Sequence, residues 1–383
     1  MWNGLKDFKV KRLGIFVFYD KEGILDKYVE YMLNSLKEVV HVLFIVINGK
    51  INDDGLKRME AISKEIICRD NLGFDAGGYG DVLICHIGKE KLREYDELVL
   101  CNDTCYGPFI SFSAIWKTME NKTCDFWGLN CIQNGLTDHM QAYFLVFRKT
   151  LLESDFIYCF FEQNIFGQNL DLREVIAIYE KGLYKRLIQN GFKPAWYIEV
   201  NNLNVYQCSS QLIEKYHFPM MKRKCFDRRY NDAYAGVVDS LHWISDNTEY
   251  TVEMILENAE RLYGFDNTRD CDSGQEETAV YGSQFAINAG QLEEFINKEQ
   301  NIYIYGAGNY AKEIYHLYVK DSGKLKGFVV SDDQKSEATL YGYPVIKISD
   351  LGAEEPLIVA LSKKNTEQVR MHMRQKNVIY LFA

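Results

Sequence analysis

The sequence predicts an α/β fold, with a mostly parallel sheet flanked by helices and a smaller α/β domain after it. Three observations support this prediction. The chain has 383 residues, which suits two or three domains of about 150 residues each. Short apolar runs alternate with helical spacings from residue 14 to about residue 264, and the alternation starts again at residue 301. We expect a first domain over residues 1–264, a connector over residues 265–298 and a second domain over residues 299–383.

The apolar runs of the first domain predict its strands in order. They are expected at Ile15–Tyr19, Val42–Ile47, Glu65–Cys68 and Glu97–Cys101. Apolar residues recur at helical spacing between Leu25 and Val39, and a second helix is expected at Leu56–Ile62. Strands separated by helices are typical of a parallel sheet, which binds ligands beyond the carboxyl ends of its strands. Polar residues at those ends, among them Asp20, are therefore candidate binding residues.

The composition excludes some classes of function. Acidic residues outnumber basic ones, 54 to 44, and the net charge is −10, whereas a general nucleic-acid binder neutralises phosphates with a basic surface. No apolar run approaches the ~20 residues that cross a bilayer, and the ten cysteines include no Cys-x-x-Cys pair. We therefore expect a cytoplasmic protein with reduced thiols and no nucleic-acid partner.

A glycine-rich segment after the third strand is the densest candidate site. Its candidate binding residues are Arg69, Asn71, Gly73, Asp75, Gly77 and Gly78. Glycines let the backbone approach a ligand closely, and the interleaved acid and amide side chains supply hydrogen bonds to a base or ribose. The structural alternative is a glycine-rich connection before a helix at Tyr79–Ile87. The density of polar side chains among the glycines favours binding.

A second candidate segment follows the fourth strand. Asn102, Asp103 and Thr104 place one carboxylate just past a buried strand. Mg²⁺ or Mn²⁺ bound to a diphosphate needs only one or two protein carboxylates there. An Asp/Thr turn closed by Gly107-Pro108 accounts for the same residues. The spacing alone favours neither interpretation.

Four motifs in order resemble the rhamnan synthesis protein F family: NLGFDAGGY, YDELVLCNDTCYGPF, DFWG and HMQAYFLVFRKTLL. The resemblance covers roughly residues 12–264. It implies a GT-A-like fold and a glycosyltransferase that moves L-rhamnose from its deoxythymidine diphosphate donor onto a growing or lipid-linked bacterial glycan. GT-A enzymes hold the donor diphosphate through a divalent cation at a strand-end Asp-x-Asp motif. This chain has the single carboxylate of Asp103 there, so Mg²⁺ or Mn²⁺ at Asp103 and neutralisation by an Arg or Lys both remain open.

The resemblance also implies roles for residues farther along the chain. Glu180 aligns with the base of the Glu-Asp-x-Asp-Leu helix start of inverting polysaccharide glycosyltransferases when Leu183 and Gly191 are matched. A carboxylate at that place deprotonates the acceptor hydroxyl; a solvated Glu on an amphipathic helix is the alternative. His139 and Gln141 precede a strand-like run that lies near the donor sugar or acceptor in the family. A structural histidine is equally compatible with the sequence.

A cationic cluster, Lys222-Arg223-Lys224 with Arg228 and Arg229, interrupts this acidic chain. Such a cluster binds the donor diphosphate, binds the diphosphate of a lipid acceptor, or makes a peripheral contact with the anionic inner face of the cell membrane. A solvated loop is the structural alternative.

The second domain opens with a strand at Ile302–Tyr305 followed by Gly306-x-Gly308-x-x-Ala311. This order resembles the dinucleotide fingerprint and the small Rossmann-like modules attached to sugar-modifying enzymes. The domain has no second half to hold a nicotinamide, so a structural role is favoured over bound NAD. An NAD-dependent sugar-nucleotide reductase or epimerase is one alternative function, and a non-catalytic glycan-assembly factor is another.

Overall fold

The computed structural model describes residues 10–200, 202–231, 234–270 and 285–382. The chain forms two compact units. Unit 1 comprises Met1–Cys131, Met140–Asn169 and Leu187–Tyr281, and unit 2 comprises Ile132–His139, Leu170–Arg186 and Gly282–Ala383. Two short segments of the first two hundred residues thus fold with the C-terminal part. Of the predicted connector over residues 265–298, residues 271–284 lie outside the described residues.

The strands are numbered in chain order. They are β1 Arg12–Phe18, β2 Val42–Asn48, β3 Glu65–Arg69, β4 Glu97–Asn102, β5 Cys105–Tyr106, β6 Phe126–Gly128, β7 Cys131–Ile132, β8 His139–Met140, β9 Phe144–Arg148, β10 Pro194–Trp196, β11 Met221–Lys222, β12 Ile302–Tyr305, β13 Leu325–Val330, β14 Thr339–Leu340, β15 Tyr343–Lys347, β16 Leu357–Val359 and β17 Val378–Tyr380.

The helices follow the same numbering. They are α1 Lys27–Lys37, α2 Asp53–Ile62, α3 Phe74–Asp81, α4 Lys89–Leu92, α5 Phe112–Glu120, α6 Lys149–Glu153, α7 Phe156–Asn164, α8 Leu172–Val175, α9 Leu183–Gln189, α10 Val237–Asn247, α11 Glu253–Tyr263, α12 Ala289–Lys298, α13 Asn309–Ile314 and α14 Lys363–Arg370. π-helical turns occur at Val82–Ile87, Ile176–Gly182, Gln211–Lys215 and Tyr315–Val319, and 3₁₀ turns at Arg223–Phe226, Lys320–Ser322 and Ile348–Asp350.

Unit 1 contains a seven-stranded sheet in the order β10-β6-β9-β4-β1-β2-β3. The four strands β4, β1, β2 and β3 run parallel to one another, and β9 is antiparallel to both β4 and β6. Every residue of β1 is buried, as expected for a strand covered on both faces. The predicted α/β class with a mostly parallel sheet is confirmed.

Helix α1 shows how the sequence produces this packing. Its buried residues recur at helical spacing along one face: Tyr28, Val29, Met32, Leu33 and Leu36. They join the core of unit 1, in which the sheet residues Phe16, Ile45 and Val99 are also buried. The core of unit 1 therefore holds the helix against the strands of the sheet.

Unit 2 has its own sheet of six strands in the order β14-β15-β13-β12-β16-β17. The last five strands of that order are parallel, and β14 pairs antiparallel with β15. Gly306 follows β12 with φ of +128°, and a Cβ there would lie 2.8 Å from the Ala360 carbonyl oxygen. Close backbone packing therefore accounts for this glycine.

No helix in the described ranges is both long enough and apolar enough to span a membrane.

Candidate active site

The candidate site of unit 1 lies where four parallel strands end. In the sheet register, Asn102 of β4 pairs with Val17 of β1, and Asn48 of β2 pairs with Arg69 of β3. Carboxyl ends of parallel strands meet at one edge of a sheet. The polar residues at the ends of these four strands are therefore neighbours in the fold.

Arg69 fixes the shape of the segment that follows β3. Its Nε donates to Asp81 Oδ2 at 2.5 Å, its Nη1 to Asn48 Oδ1 at 2.7 Å and its Nη2 to the Leu72 carbonyl oxygen at 2.7 Å. Asn48 in turn donates from Nδ2 to the Phe74 carbonyl oxygen at 2.8 Å. The guanidinium thus ties the turn to the ends of β2 and α3.

The glycine-rich segment is the beginning of a helix rather than a loop. α3 starts at Phe74, five residues before the predicted helix at Tyr79–Ile87, whose apolar run continues as a π-helical turn. Gly73 precedes α3 with φ of +66°. A Cβ at Gly77 would lie 2.1 Å from the Leu72 carbonyl oxygen, and one at Gly78 would lie 2.9 Å from Val17 Cγ2. Close packing therefore accounts for Gly77 and Gly78.

A directed chain of hydrogen bonds connects α3 to the segment after β4. The ammonium of Lys222 donates to Thr104 Oγ1 at 3.0 Å, and that hydroxyl donates to Asn102 Oδ1 at 2.6 Å. Asn102 Nδ2 then donates to Asp75 Oδ2 at 2.7 Å. Burial raises the pKa of the Asp75 carboxyl. The two segments predicted to share a site, around Asp75 and Asp103, are brought together by Asn102.

Asp103 is buried beside a cation. Its Oδ2 accepts from the backbone N–H of Tyr19 at 3.4 Å and lies 3.6 Å from Arg223 Nη1. Arg223 Nη1 also donates to the Tyr28 hydroxyl at 2.7 Å, and that hydroxyl donates to the Asp103 carbonyl oxygen at 2.9 Å. Burial raises the pKa of the Asp103 carboxyl. Asp103 is therefore paired with Arg223 inside unit 1.

Asp20 is also held by internal partners. Its Oδ1 accepts from the backbone N–H groups of Glu22 and Ile24, and its Oδ2 accepts from Arg261 Nη2 at 2.7 Å. Burial alone would raise the pKa of Asp20, but the hydrogen bonds, that of Arg261 foremost, leave it below its ordinary value. Arg261 also binds Asp26 at 2.5 Å. Asp20 thus anchors the turn between β1 and α1.

Two residues at this edge were not predicted from the sequence. Tyr19 follows β1 with 43 % of its surface exposed, and a Cβ at Gly49 would lie 3.9 Å from its ring. An aromatic residue just past a buried strand was the available signal. Arg261, a lone cation in the amphipathic helix α11, gave no such signal.

The remaining predicted residues are divided between the units. Gln141 and Asn71 are half-buried in unit 1, whereas His139 and Glu180 belong to unit 2. His139 Nδ1 lies 2.8 Å from the Thr137 carbonyl oxygen, and burial lowers the pKa of His139 to about 4, so the ring is neutral at pH 7. Glu180 is half-buried in the π-helical turn Ile176–Gly182.

Asp103 is the carboxylate that the segment after β4 offers to a divalent cation. Among the described ranges, no group of three or more His, Cys, Asp or Glu side chains is arranged to hold a metal ion. Mg²⁺ and Mn²⁺ are bound through one or two carboxylates where substrate phosphates supply other ligands. The Asp103 carboxylate meets that minimum, and the Nη1 of Arg223 lies 3.6 Å from its Oδ2.

The sequence model of the family described as rhamnan synthesis protein F matches residues 43–274 of this chain. The matched range includes the glycine-rich helix α3, the Asn102–Thr104 segment and the cationic strand β11. The chain belongs to the rhamnan synthesis protein F family. The resemblance noted in the sequence is thereby confirmed, and the mostly parallel sheet with flanking helices agrees with the GT-A-like fold it implies.

No curated protein sequence matches the chain. Among solved structures, TarS from S. aureus is similar with a TM-score of 0.34 and 12% identity, over 80% of this chain and 81% of that one. Glucosyl-3-phosphoglycerate synthase from Mycobacterium tuberculosis, in complex with Mg²⁺ and UDP, is similar with a TM-score of 0.29 and 13% identity, over 55% of this chain and 80% of that one. The mannosyltransferase PcManGT from Pyrobaculum calidifontis, in complex with GDP-Man and Mn²⁺, is similar with a TM-score of 0.29 and 10% identity, over 66% of this chain and 72% of that one. Membership of the rhamnan synthesis protein F family, rather than these likenesses, supports a nucleotide-sugar glycosyltransferase.

Proposed function

We propose that this rhamnan synthesis protein F member transfers L-rhamnose from deoxythymidine diphosphate rhamnose to a growing bacterial polysaccharide or lipid-linked glycan. The proposal rests on the family match and on one structural observation. That observation is the Asn102 Nδ2 to Asp75 Oδ2 hydrogen bond of 2.7 Å, which joins the glycine-rich helix to the segment after β4. The enzyme is proposed to act in the cytoplasm at the inner face of the membrane.

In this proposal the donor lies over the carboxyl ends of β1 to β4. The nucleoside occupies the surface beside Tyr19, the turn held by Asp20 and the segment from Arg69 to Asp75, and the diphosphate lies over Asn102 and Asp103. The exposed Tyr19 ring suits stacking on a base. Arg69, Asn48 and Asp20 keep these turns rigid through their internal hydrogen bonds. A preorganised site spends less of its binding free energy on ordering.

Glu180 is the proposed general base of a single displacement. Its carboxylate takes the proton of the acceptor hydroxyl while the hydroxyl oxygen bonds to the anomeric carbon of the sugar. The bond from that carbon to the diphosphate oxygen breaks, and the diphosphate leaves with the electron pair. A positioned base contributes about 10²–10⁴-fold in rate. Orientation of the acceptor and stabilisation of the departing diphosphate supply the rest.

The test combines donor binding with turnover. Glu180→Gln is expected to lower the transfer rate about 10²–10⁴-fold while the affinity for the donor stays unchanged. Glu337→Gln removes an exposed carboxylate of the same unit and serves as the matched control with unchanged rate. Equal rates for both variants would overturn the assigned base. Binding of NAD in place of nucleotide sugars would favour a reductase or epimerase, and donor binding without any turnover would favour an assembly factor.

A further inference from the structure

Two consecutive cations lie against the segment that follows β4. Strand β11 pairs antiparallel with β5, which places Lys222 opposite Cys105. The next backbone N–H, that of Arg223, donates to the Thr104 carbonyl oxygen at 3.0 Å. The pairing therefore fixes both cations beside Asn102-Asp103-Thr104 through the main chain, independently of their side chains.

The two side chains are positioned by separate contacts. The ammonium of Lys222 donates to Thr104 Oγ1 at 3.0 Å and lies 4.1 Å from the centre of the Tyr143 ring. The guanidinium of Arg223 is 15% exposed, bonds to the Tyr28 hydroxyl at 2.7 Å and faces Asp103 at 3.6 Å. An ammonium carries three N–H donors and a guanidinium five. The two side chains therefore gather several charged N–H donors beside one short segment.

Arg223 already places a positive charge beside the carboxylate that a divalent cation would use, with its Nη1 3.6 Å from Asp103 Oδ2. The same Nη1 donates to the Tyr28 hydroxyl, so a metal ion bound at Asp103 Oδ2 would lie beside a guanidinium that is already held in place. The departing diphosphate needs positive charge in the transition state. Arginine and lysine supply it through charge-assisted hydrogen bonds, and the planar guanidinium matches phosphate oxygens in pairs.

We propose that Lys222 and Arg223 bind the diphosphate of the donor in place of a divalent cation, and that Asp103 positions Arg223 rather than ligating a metal. This inference rests on the proposed function, because it presupposes a diphosphate-bearing donor. It assigns the cationic pair to the donor, whereas the neighbouring Lys224, Arg228 and Arg229 are exposed and take no part.

The test measures binding of dTDP, inorganic pyrophosphate and thymidine by calorimetry, in excess EDTA and again with Mn²⁺. We expect dTDP and pyrophosphate to bind equally well in both conditions. Lys222→Met and Arg223→Met are expected to weaken binding of both about 10-fold to 100-fold each, which is the usual effect of losing a charge-assisted hydrogen bond. Binding of thymidine, which carries no phosphate, stays unchanged in these variants and reports that the site is still folded.

Lys224→Met is the matched control, because it removes the adjacent cation, whose ammonium contacts Tyr230 at 3.3 Å. Its affinity for dTDP is expected to equal that of the unmodified chain, and Lys222→Arg is expected to restore most of the affinity that Lys222→Met loses. Three results would each overturn the proposal: binding that requires Mn²⁺, an affinity of Lys222→Met and Arg223→Met equal to that of the unmodified chain, or no binding of any diphosphate. Diphosphate binding that needs no metal, in a protein that transfers no sugar, would support the role of Lys222 and Arg223 and overturn the proposed transferase activity instead.

Discussion

Replacing Gly77 by alanine tests whether close packing explains why position 77 of α3 is a glycine. The added Cβ would lie 2.1 Å from the Leu72 carbonyl oxygen and 3.1 Å from Arg69 Nη2. Since Cβ contacts under 3.0 Å are essentially never observed, α3 or the Leu72 turn has to move by at least about 0.9 Å, the difference between these distances. The obstacle is a backbone atom, so no side-chain rotation relieves it. The same movement disturbs the Arg69 to Leu72 bond of 2.7 Å.

Overpacking costs about 1–3 kcal/mol, and loss of a hydrogen bond to a charged group adds about 1.5–3 kcal/mol. We therefore expect Gly77→Ala to lower the free energy of unfolding by about 2.5–6 kcal/mol. At about 2–4 °C per kcal/mol for a domain of this size, the melting temperature falls by about 5–24 °C. Asp75, two residues earlier, moves with the helix, so the affinity for dTDP is expected to fall as well.

Gly80→Ala is the matched control in the same helix. Its Cβ would meet Ile165 Cγ2 at 3.5 Å, an ordinary van der Waals contact. Because alanine has the higher helix propensity, this variant is expected to gain about 0.5–1 kcal/mol. Thermal and denaturant unfolding of both variants measure the difference. A Gly77→Ala variant as stable as Gly80→Ala would refute the packing explanation of the glycine.

Three further outcomes are expected. Burial lowers the pKa of His139 and of His316 to about 4. Each therefore contributes up to about 3 kcal/mol of stability above pH 6.5, and this stability is lost as the pH falls toward 4. Denaturant unfolding between about pH 7 and pH 4 measures this loss, and a free energy of unfolding that does not change with pH contradicts the prediction. Glu97→Ala removes the buried carboxylate bonded to Arg12 at 2.6 Å and leaves Arg12 with the exposed Glu120 at 3.8 Å. It is expected to cost about 3–5 kcal/mol in the same assay, whereas a loss below about 1 kcal/mol would contradict a buried ion pair. Tyr19→Ala is expected to weaken binding of thymidine about tenfold through loss of stacking, and unchanged calorimetric affinity would remove Tyr19 from the proposed nucleoside site.

The parallel strands could be predicted because each is a continuous apolar run. β2 was expected at Val42–Ile47 and ends one residue later, at Asn48. β1 was expected from Ile15 but begins at Arg12, because Arg12 is buried by its pairing with Glu97 at 2.6 Å. Hydropathy cannot anticipate a buried charge whose partner lies 85 residues away. The prediction that polar residues at the strand ends lie near one another depends only on where the apolar runs stop, and Asn48 and Arg69 at the ends of β2 and β3 are bonded to each other.

The glycine-rich helix and the ion pairs show where sequence reasoning fails. Glycines lower helix propensity, so α3 was expected to start after them, whereas its contacts with Leu72 and Val17 require them inside the helix. Asp20 is bound by Arg261, which is 241 residues away in the chain. Such pairings follow from how α11 packs in unit 1, and no local pattern encodes them.

Asn102 explains why this chain has one carboxylate at the end of β4. Its amide donates to Asp75 at 2.7 Å and accepts from Thr104 at 2.6 Å. The side chain at position 102 must therefore act as a donor toward Asp75 and as an acceptor toward Thr104. A carboxylate has no proton to donate at neutral pH and would face the Asp75 carboxylate at hydrogen-bond distance, which costs free energy unless the two share a proton. The amide therefore connects the glycine-rich helix to the segment after β4 without adding charge. With only the Asp103 carboxylate left, one guanidinium is enough to balance it, and the pairing with Arg223 at 3.6 Å follows.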